Sequence, residues 1–101
     1  MLKKQYQKNK PSCKVTFYTP AEIHAEHVTL VGDFNGWDEK ASPMEKLKDG
    51  RFKLVIDLPA PAEYQFRYLV DGAEWKNDVE ADKYLPNPFS GDNSVLVLSG
   101  E

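Results

Sequence analysis

A strict alternation of apolar and polar side chains is the feature that most constrains how this chain can fold. From Phe52 to Leu58 every second residue is large and apolar, and residues 63–70 carry aromatic or branched apolar side chains at alternate positions. A period of two places alternate side chains on one face of a β-strand. The two segments therefore predict strands with one buried face, and the second should direct Phe66 and Tyr68 inward and Gln65 and Arg67 outward.

Asp-Gly pairs mark the ends of these strands. Asp49-Gly50 precedes the first strand and Asp71-Gly72 follows the second, and such pairs supply the positive φ that a two-residue hairpin turn requires. We expect residues 44–48 to pair with the strand at 52–58. Shorter β runs at 14–18, 27–32 and 94–98 complete an all-β sandwich of about seven antiparallel strands.

Length and charge limit the number of domains and the kinds of partner. The chain has 101 residues, of which 41% are hydrophobic, and this supports one core but not two. We expect a basic, partly flexible tail over residues 1–12 and a single domain over residues 13–101. The net charge is −3 although four lysines lie in the first ten residues. The rest of the chain is therefore acidic, which opposes binding to nucleic acid.

Cysteine usage and hydropathy indicate a compartment. Cys13 is the single cysteine, so an intrachain disulfide is excluded. No apolar run approaches the length needed to cross a bilayer. We therefore expect a cytoplasmic protein with no membrane partner.

No residue pattern indicates catalysis. His24 and His27 lie three residues apart, but no tight ligand pair such as Cys-x-x-Cys accompanies them. No serine lies in a Gly-x-Ser-x-Gly setting, and residues 32–36 lack the lysine of a phosphate loop. We expect no enzymatic activity, no catalytic residue, no metal site and no cofactor.

The two tryptophans stand outside the apolar alternation. Trp37 follows Asp-Phe-Asn-Gly, and Trp75 follows Asp-Gly-Ala-Glu, so both lie in or just after a turn. An exposed indole among polar neighbours suits the apolar face of a sugar ring. The alternative is that both rings close the ends of the sandwich core, and the residue pattern favours neither.

Five segments between Lys14 and Leu98 carry a specific order of residues. They read Val-Thr-Leu-Val-Gly-Asp-Phe-Asn-Gly-Trp at 28–37, Pro-Met at 43–44, Gly-Arg-Phe at 50–52, Tyr-Gln-Phe-Arg-Tyr-Leu-Val-Asp-Gly at 64–72 and Asn-Pro-Phe-Ser-Gly-Asp-Asn-Ser-Val at 87–95. Together they resemble carbohydrate-binding module family 48. That family includes the glycogen-binding domain of the AMP-activated protein kinase β subunit and the N-terminal early-set domains of isoamylases and branching enzymes.

The resemblance implies a fold, a ligand and a set of site residues. The fold would be an immunoglobulin-like, early-set β-sandwich, and the ligand an α-1,4-linked glucan such as glycogen or starch, or a malto-oligosaccharide. The sugar would rest on two tryptophans and contact a basic residue, a protruding apolar residue and an asparagine. These positions match Trp37, Trp75, Arg67, Phe89 and Asn93.

Four features depart from the family pattern, and one alternative function stays open. Arg67 stands where the family has lysine, Phe89 where it has leucine and Gly91 where it has threonine. Trp75 has one extra residue between it and the Asp-Gly turn compared with the kinase-subunit pattern. Early-set domains share the fold but often lack a complete binding surface. The alternative is therefore a structural or protein-interaction module with little sugar affinity, which serves a separate glucan-metabolising enzyme or regulatory complex.

Overall fold

The computed structural model describes residues 2–7, 11–20, 23–87 and 91–99, and within these ranges the chain forms nine β-strands. In chain order they are β1 (Leu2–Tyr6), β2 (Ser12–Tyr18), β3 (Val28–Gly32), β4 (Glu45–Lys46), β5 (Phe52–Pro59), β6 (Ala62–Val70), β7 (Glu74–Lys76), β8 (Lys83–Pro86) and β9 (Asp92–Leu98). The prediction of an all-β fold is confirmed.

The strands form two antiparallel sheets that pack as an immunoglobulin-like β-sandwich. The back sheet has the order β1-β2-β5-β4. The site sheet has the order β3-β6-β9-β8, and β7 also pairs with β6. Strand β6 is central to the site sheet: β3 pairs along residues 66–70, while β9 and β7 share its other side, at residues 62–66 and 68–70. Every residue of β6 is therefore paired with at least one neighbouring strand.

The core lies between the sheets and follows the alternation in the sequence. Phe66 and Tyr68 on β6 and Phe52 and Leu58 on β5 are buried, as predicted. Phe66 is the centre of an aromatic row, because its ring lies 5.2 Å from Phe17 and 5.7 Å from Tyr68, both edge to face. Edge-to-face pairs are a preferred arrangement of aromatic rings. The inner face of β6 therefore belongs to the core.

Strand β1 lies within the segment predicted as a basic tail. It pairs with β2 along its whole length, from Leu2 opposite Phe17 to Tyr6 opposite Cys13. The sequence does not predict this strand because it is an edge strand whose side chains are largely exposed lysine and glutamine, which is typical of protected sheet edges. Lys4 also bonds to Asp82 at 2.7 Å, so β1 is joined to the chain before β8.

The two predicted hairpin turns differ in length. Asp71 and Gly72 have φ values of 52° and 70°, the consecutive positive φ angles of a tight turn between β6 and β7. The pairing of residues 44–48 with β5 is also confirmed, since Lys46 lies opposite Phe52. Its loop spans residues 47–51 and is longer than the predicted two-residue turn, because Leu47 N donates to Arg51 O across five residues of chain.

A buried carboxylate joins the inner face of β6 to the loop after β7. Asp78 is 2% exposed, and its Oδ2 accepts a 2.8 Å hydrogen bond from the Tyr68 hydroxyl while its Oδ1 accepts one from Glu80 N. Burial and the nearby Asp78 carboxylate hold the pKa of Tyr68 well above its ordinary value. The Tyr68 hydroxyl therefore stays protonated in the folded state under conditions that ionise a free tyrosine.

This pKa shift predicts a loss of stability in alkali. Below about pH 10 Tyr68 is protonated in both states, whereas above it the unfolded chain loses the proton and the folded chain keeps it. The free energy of unfolding should therefore fall as pH rises through about 10 to 12, and urea titrations at stepped pH measure it. Tyr68→Phe should lower stability at pH 8 by about 1–3 kcal/mol and should flatten the alkaline decline. Parallel declines in the two proteins would contradict the prediction.

Candidate functional site

The outer face of the site sheet presents a strip of long side chains around β6, which we call the outer strip. Gln65 and Arg67 on β6 and Trp75 on β7 are its long residues. Each lies directly opposite a small or branched apolar residue that is buried although it faces outward. The pairs are Gln65 with Val95, Arg67 with Val31, and Trp75 with Leu69. The outer strip therefore rests on a short apolar base, which the polar pattern of β6 does not indicate.

The turn after β3 is fixed by a close approach of two backbones. A Cβ atom on Gly32 would lie 2.6 Å from Gln65 O and 2.8 Å from Phe66 Cβ, so only glycine fits opposite β6. A short 3₁₀ helix, Asp33–Asn35, follows. The Asn35 side chain accepts from Gly32 N at 3.1 Å and donates to the carbonyl of Leu30 at 2.9 Å. The asparagine thereby closes the turn back onto β3.

Trp37 is tied to the outer strip by a shared carboxylate. Its indole Nε1 donates to Asp33 Oδ1 at 2.8 Å, and Asp33 Oδ2 accepts from Gln65 N, also at 2.8 Å. The Trp37 backbone N donates to Gly32 O at 2.9 Å. Trp37 is half-buried, and its indole is therefore held beside Gln65 by the protein before any ligand is present.

Trp75 lies at the other end of the outer strip. Its side chain is 40% exposed, and it lies opposite Leu69 in the pairing of β6 with β7. Gln65 and Leu69 are separated by four residues along β6, which corresponds to about 14 Å at the rise of a strand. Arg67 occupies the middle. Because Trp75 is exposed, the alternative that both rings close the ends of the sandwich core is wrong. Trp37 is half-buried and does not belong to the hydrophobic core cluster.

The loop that leads into β9 holds the guanidinium of Arg67. Arg67 Nε donates to Asp92 O at 3.1 Å, and Asn77 Nδ2 donates to the same oxygen at 2.8 Å. Gly91 has a φ of 69°, and a Cβ atom there would lie 3.1 Å from Arg67 Nη2. Arg67 is half-buried against the start of β9, and its Nη atoms make no hydrogen bond to a described residue.

Asn93 lies on the same face but is only 7% exposed. Its Nδ2 donates to Gln65 Oε1 at 3.0 Å, and its Oδ1 accepts from Asn87 Nδ2 at 3.1 Å. Both ends of this amide are thus engaged by neighbouring side chains. Phe89, the fifth predicted site residue, lies outside the described residues.

The structure brings Arg67, Trp75 and Asn93 to one face of one sheet, and Asp33 joins Trp37 to the backbone of Gln65 on the same strand. Sequence reasoning did not select Asp33 or Gln65, although the alternation along β6 already placed Gln65 outward beside Arg67. The hydrogen bonds of these two side chains join residues far apart in the sequence, so no local pattern could reveal them. Among the described residues, no group of three His, Cys, Asp or Glu side chains is arranged to hold a metal ion.

Fold and site together define an immunoglobulin-like β-sandwich module with an open face that carries indole, guanidinium and amide groups. The chain belongs to the carbohydrate-binding module 48 family (isoamylase N-terminal domain), whose family model matches residues 4–89. The resemblance read from the sequence motifs is confirmed, and the chain is a carbohydrate-binding module by family.

Curated relatives are 1,4-alpha-glucan branching enzymes. The chain is 46% identical over 78 residues to the enzyme GlgB of Aquifex aeolicus, a match that covers 75% of this chain and 12% of the relative. It is 32% identical over 72 residues to GlgB 2 of Xanthomonas euvesicatoria, which covers 71% and 9% respectively. The chain thus spans about a tenth of the length of these relatives. No helix among the described residues is long and apolar enough to cross a membrane.

The close contact at Gly32 predicts a large effect of one methyl group. Gly32→Ala should destabilise the protein by about 3 kcal/mol, because the new Cβ meets backbone and core atoms that have no room to move. Gly36→Ala is the matched control in the same turn: its Cβ enters open space, and its left-handed φ alone should cost about 1 kcal/mol. Chemical denaturation measures both, and equal losses would contradict the steric explanation.

The shared carboxylate predicts that Asp33 controls the environment of Trp37. In a Trp75→Phe background Trp37 is the single indole, since the chain has two tryptophans. Asp33→Ala removes both acceptors, so Trp37 emission should shift to longer wavelength and acrylamide quenching should increase. Stability should fall by about 1–3 kcal/mol.

Asp38→Ala is the control for this effect. Asp38 lies in the same loop and accepts a hydrogen bond from Lys40 N, not from the indole. Its substitution should leave the emission of Trp37 unchanged. Identical spectra for Asp33→Ala and the parent would show that the carboxylate does not hold the ring.

Proposed function

We propose that this module binds α-1,4-linked glucan, such as glycogen, starch or a malto-oligosaccharide, on the outer strip and without catalysis. The observation that carries the proposal is the placement of Trp37 and Trp75 at the two ends of one open strip, with Arg67 between them. The site comprises Trp37, Arg67, Trp75 and Asn93, together with Phe89 as the sequence resemblance implies. The names of the relatives as 1,4-alpha-glucan branching enzymes support the choice of glucan.

The chemistry of the outer strip suits a sugar better than a charged or purely apolar ligand. A pyranose ring offers C–H groups to a flat indole and hydroxyl groups to polar neighbours. Trp75 supplies the exposed flat surface, and Arg67 supplies N–H donors whose direction is fixed by the bond to Asp92 O. The strip runs about 14 Å along β6, which gives a chain of several linked sugars more contact than a single one.

The use of the Asp33 carboxylate supports a non-catalytic role. Each carboxylate oxygen of Asp33 accepts a hydrogen bond, one from Trp37 and one from Gln65. A carboxylate engaged in this way positions a ring and is poorly placed to transfer protons to a ligand. Any catalytic activity on the glucan belongs, in this proposal, to a separate domain or enzyme.

The expected affinity is weak. If each indole covers about half of the roughly 200 Å² that an aromatic side chain can bury, the apolar contribution is about 5 kcal/mol in total. The loss of freedom on association and ordering offsets several kcal/mol of this contribution. The expected Kd for a short oligosaccharide is therefore between about 10 μM and several mM. A polymer with many sites should bind more tightly through avidity.

The proposal includes the setting of the module. We infer a cytoplasmic location, because the sole cysteine, Cys13, is free and buried, and cytoplasmic proteins seldom depend on disulfides. Nucleic acid is not a partner in this proposal, since the acidic balance of the chain repels a phosphate backbone.

Removal of the tryptophans tests the proposal. Trp75→Ala and Trp37→Ala should each weaken binding of maltoheptaose by at least about tenfold, because each removes an apolar platform of roughly 100 Å². Isothermal titration measures the affinity, and a glycogen pull-down measures the avidity of the polymer.

Val55→Ala is the control, since Val55 is 42% exposed but lies on β5 of the back sheet. It should leave sugar binding unchanged. A wild-type protein that gives no signal at tens of millimolar maltoheptaose would contradict the proposal and favour the early-set structural module. If the variant with both Trp37 and Trp75 replaced still binds glycogen, the site is elsewhere.

A further inference from the structure

The side-chain amide of Gln65, at the end of the outer strip nearest Asp33, has one end that no described residue engages. Its Oε1 accepts from Asn93 Nδ2 at 3.0 Å, which turns the carbonyl end of the amide towards Asn93. The Nε2 end then points away from Asn93 and makes no hydrogen bond to any residue that the structure describes. Gln65 is half-buried, so this amino group faces solvent with two N–H donors.

Asn93 has the opposite character. It is 7% exposed, and its oxygen and nitrogen are both engaged, by Asn87 and by Gln65. The hydrogen bonds run in one direction, from Asn87 to Asn93 to Gln65. Each amide thus fixes the orientation of the next, and the last amide of the series is the one that reaches the outer face.

The backbone of Gln65 is fixed as well as its side chain. Its N–H donates to Asp33 Oδ2, the carboxylate that also holds the Trp37 indole. Along β6 the next outward residue is Arg67, about 7 Å further on. Gln65 therefore lies along β6 between Asp33, which holds the Trp37 indole, and Arg67.

From this arrangement we propose that Gln65 is a direct ligand of the bound glucan, donating from Nε2 to a sugar hydroxyl, and that Asn93 is a positioning residue that acts through Gln65. This inference rests on the proposed function, because it assigns roles within the same site. The alternative is that Asn93 contacts the sugar itself. The two arrangements predict different effects of the double substitution at positions 65 and 93 on sugar affinity.

A double-mutant cycle on sugar affinity tests the proposal. Gln65→Met keeps the length of the side chain and removes the donors, so maltoheptaose binding should weaken by about two- to tenfold, as expected for one hydrogen bond. Asn93→Ala should weaken it by a similar or smaller factor. The double variant should bind no more weakly than Gln65→Met alone, because Asn93 has no further route to the sugar.

Controls separate this result from general damage. Gln5→Met makes the same substitution on β1 of the back sheet, where Gln5 is exposed, and should leave affinity unchanged. Far-ultraviolet circular dichroism and urea denaturation establish that each variant is folded. Gln65→Ala repeats the test if Gln65→Met does not fold.

Each outcome is decisive. If wild type binds maltoheptaose and Gln65→Met binds equally well, the role of Gln65 is wrong while the proposed function stands. If the affinity losses caused by Gln65→Met and Asn93→Ala multiply in the double variant, Asn93 contacts the sugar directly and its positioning role is wrong. If wild type does not bind maltoheptaose or β-cyclodextrin at all, the proposed function fails and this inference fails with it.

Discussion

The alternation of side chains along strand β6 is the constraint on which both the core and the candidate site depend. Phe66 and Tyr68 face the back sheet and are buried, whereas Gln65 and Arg67 face outward. A shift of one residue in the pairing of this strand would exchange the two sets. Gly32 lies opposite Phe66, where a Cβ atom on β3 would clash with the Phe66 side chain. A shift of one residue would bring a residue with a side chain to this position, so the close contact opposes the shift. Core packing therefore sets the geometry of the binding face.

A continuous series of hydrogen bonds connects the core to the outer strip. It begins at the buried Tyr68 hydroxyl and passes through Asp78, Ser94, Asn77 and the Asp92 carbonyl to Arg67. Buried polar groups that are fully paired rigidify their surroundings, and a missing partner is costly. The loop before β9 is thus held by the core on one side and holds the arginine on the other. This explains how the half-buried guanidinium of Arg67 keeps a fixed direction on an open surface.

The sequence predicts most of the fold because the buried strands repeat with a period of two. Strands β5 and β6 follow directly from that pattern, whereas β1 does not, since an edge strand of lysine and glutamine has no apolar alternation. For the site, the ordered motifs lead to Trp37, Arg67, Trp75 and Asn93. The engagement of Asn93 by Gln65 and the sharing of the Asp33 carboxylate depend on contacts between distant segments, and a sequence pattern contains no information on those.

Two of the departures from the family pattern, at positions 67 and 91, meet at one contact. The sequence resemblance implies lysine at position 67 and threonine at position 91, and this chain has arginine and glycine. A Cβ atom at position 91 would lie 3.1 Å from Arg67 Nη2, so a larger side chain there would have to displace the guanidinium. An ammonium group on a flexible stem needs less width than a planar guanidinium. Arginine at 67 and glycine at 91 therefore form a matched pair, in which the broader cation occupies the space that the missing side chain leaves.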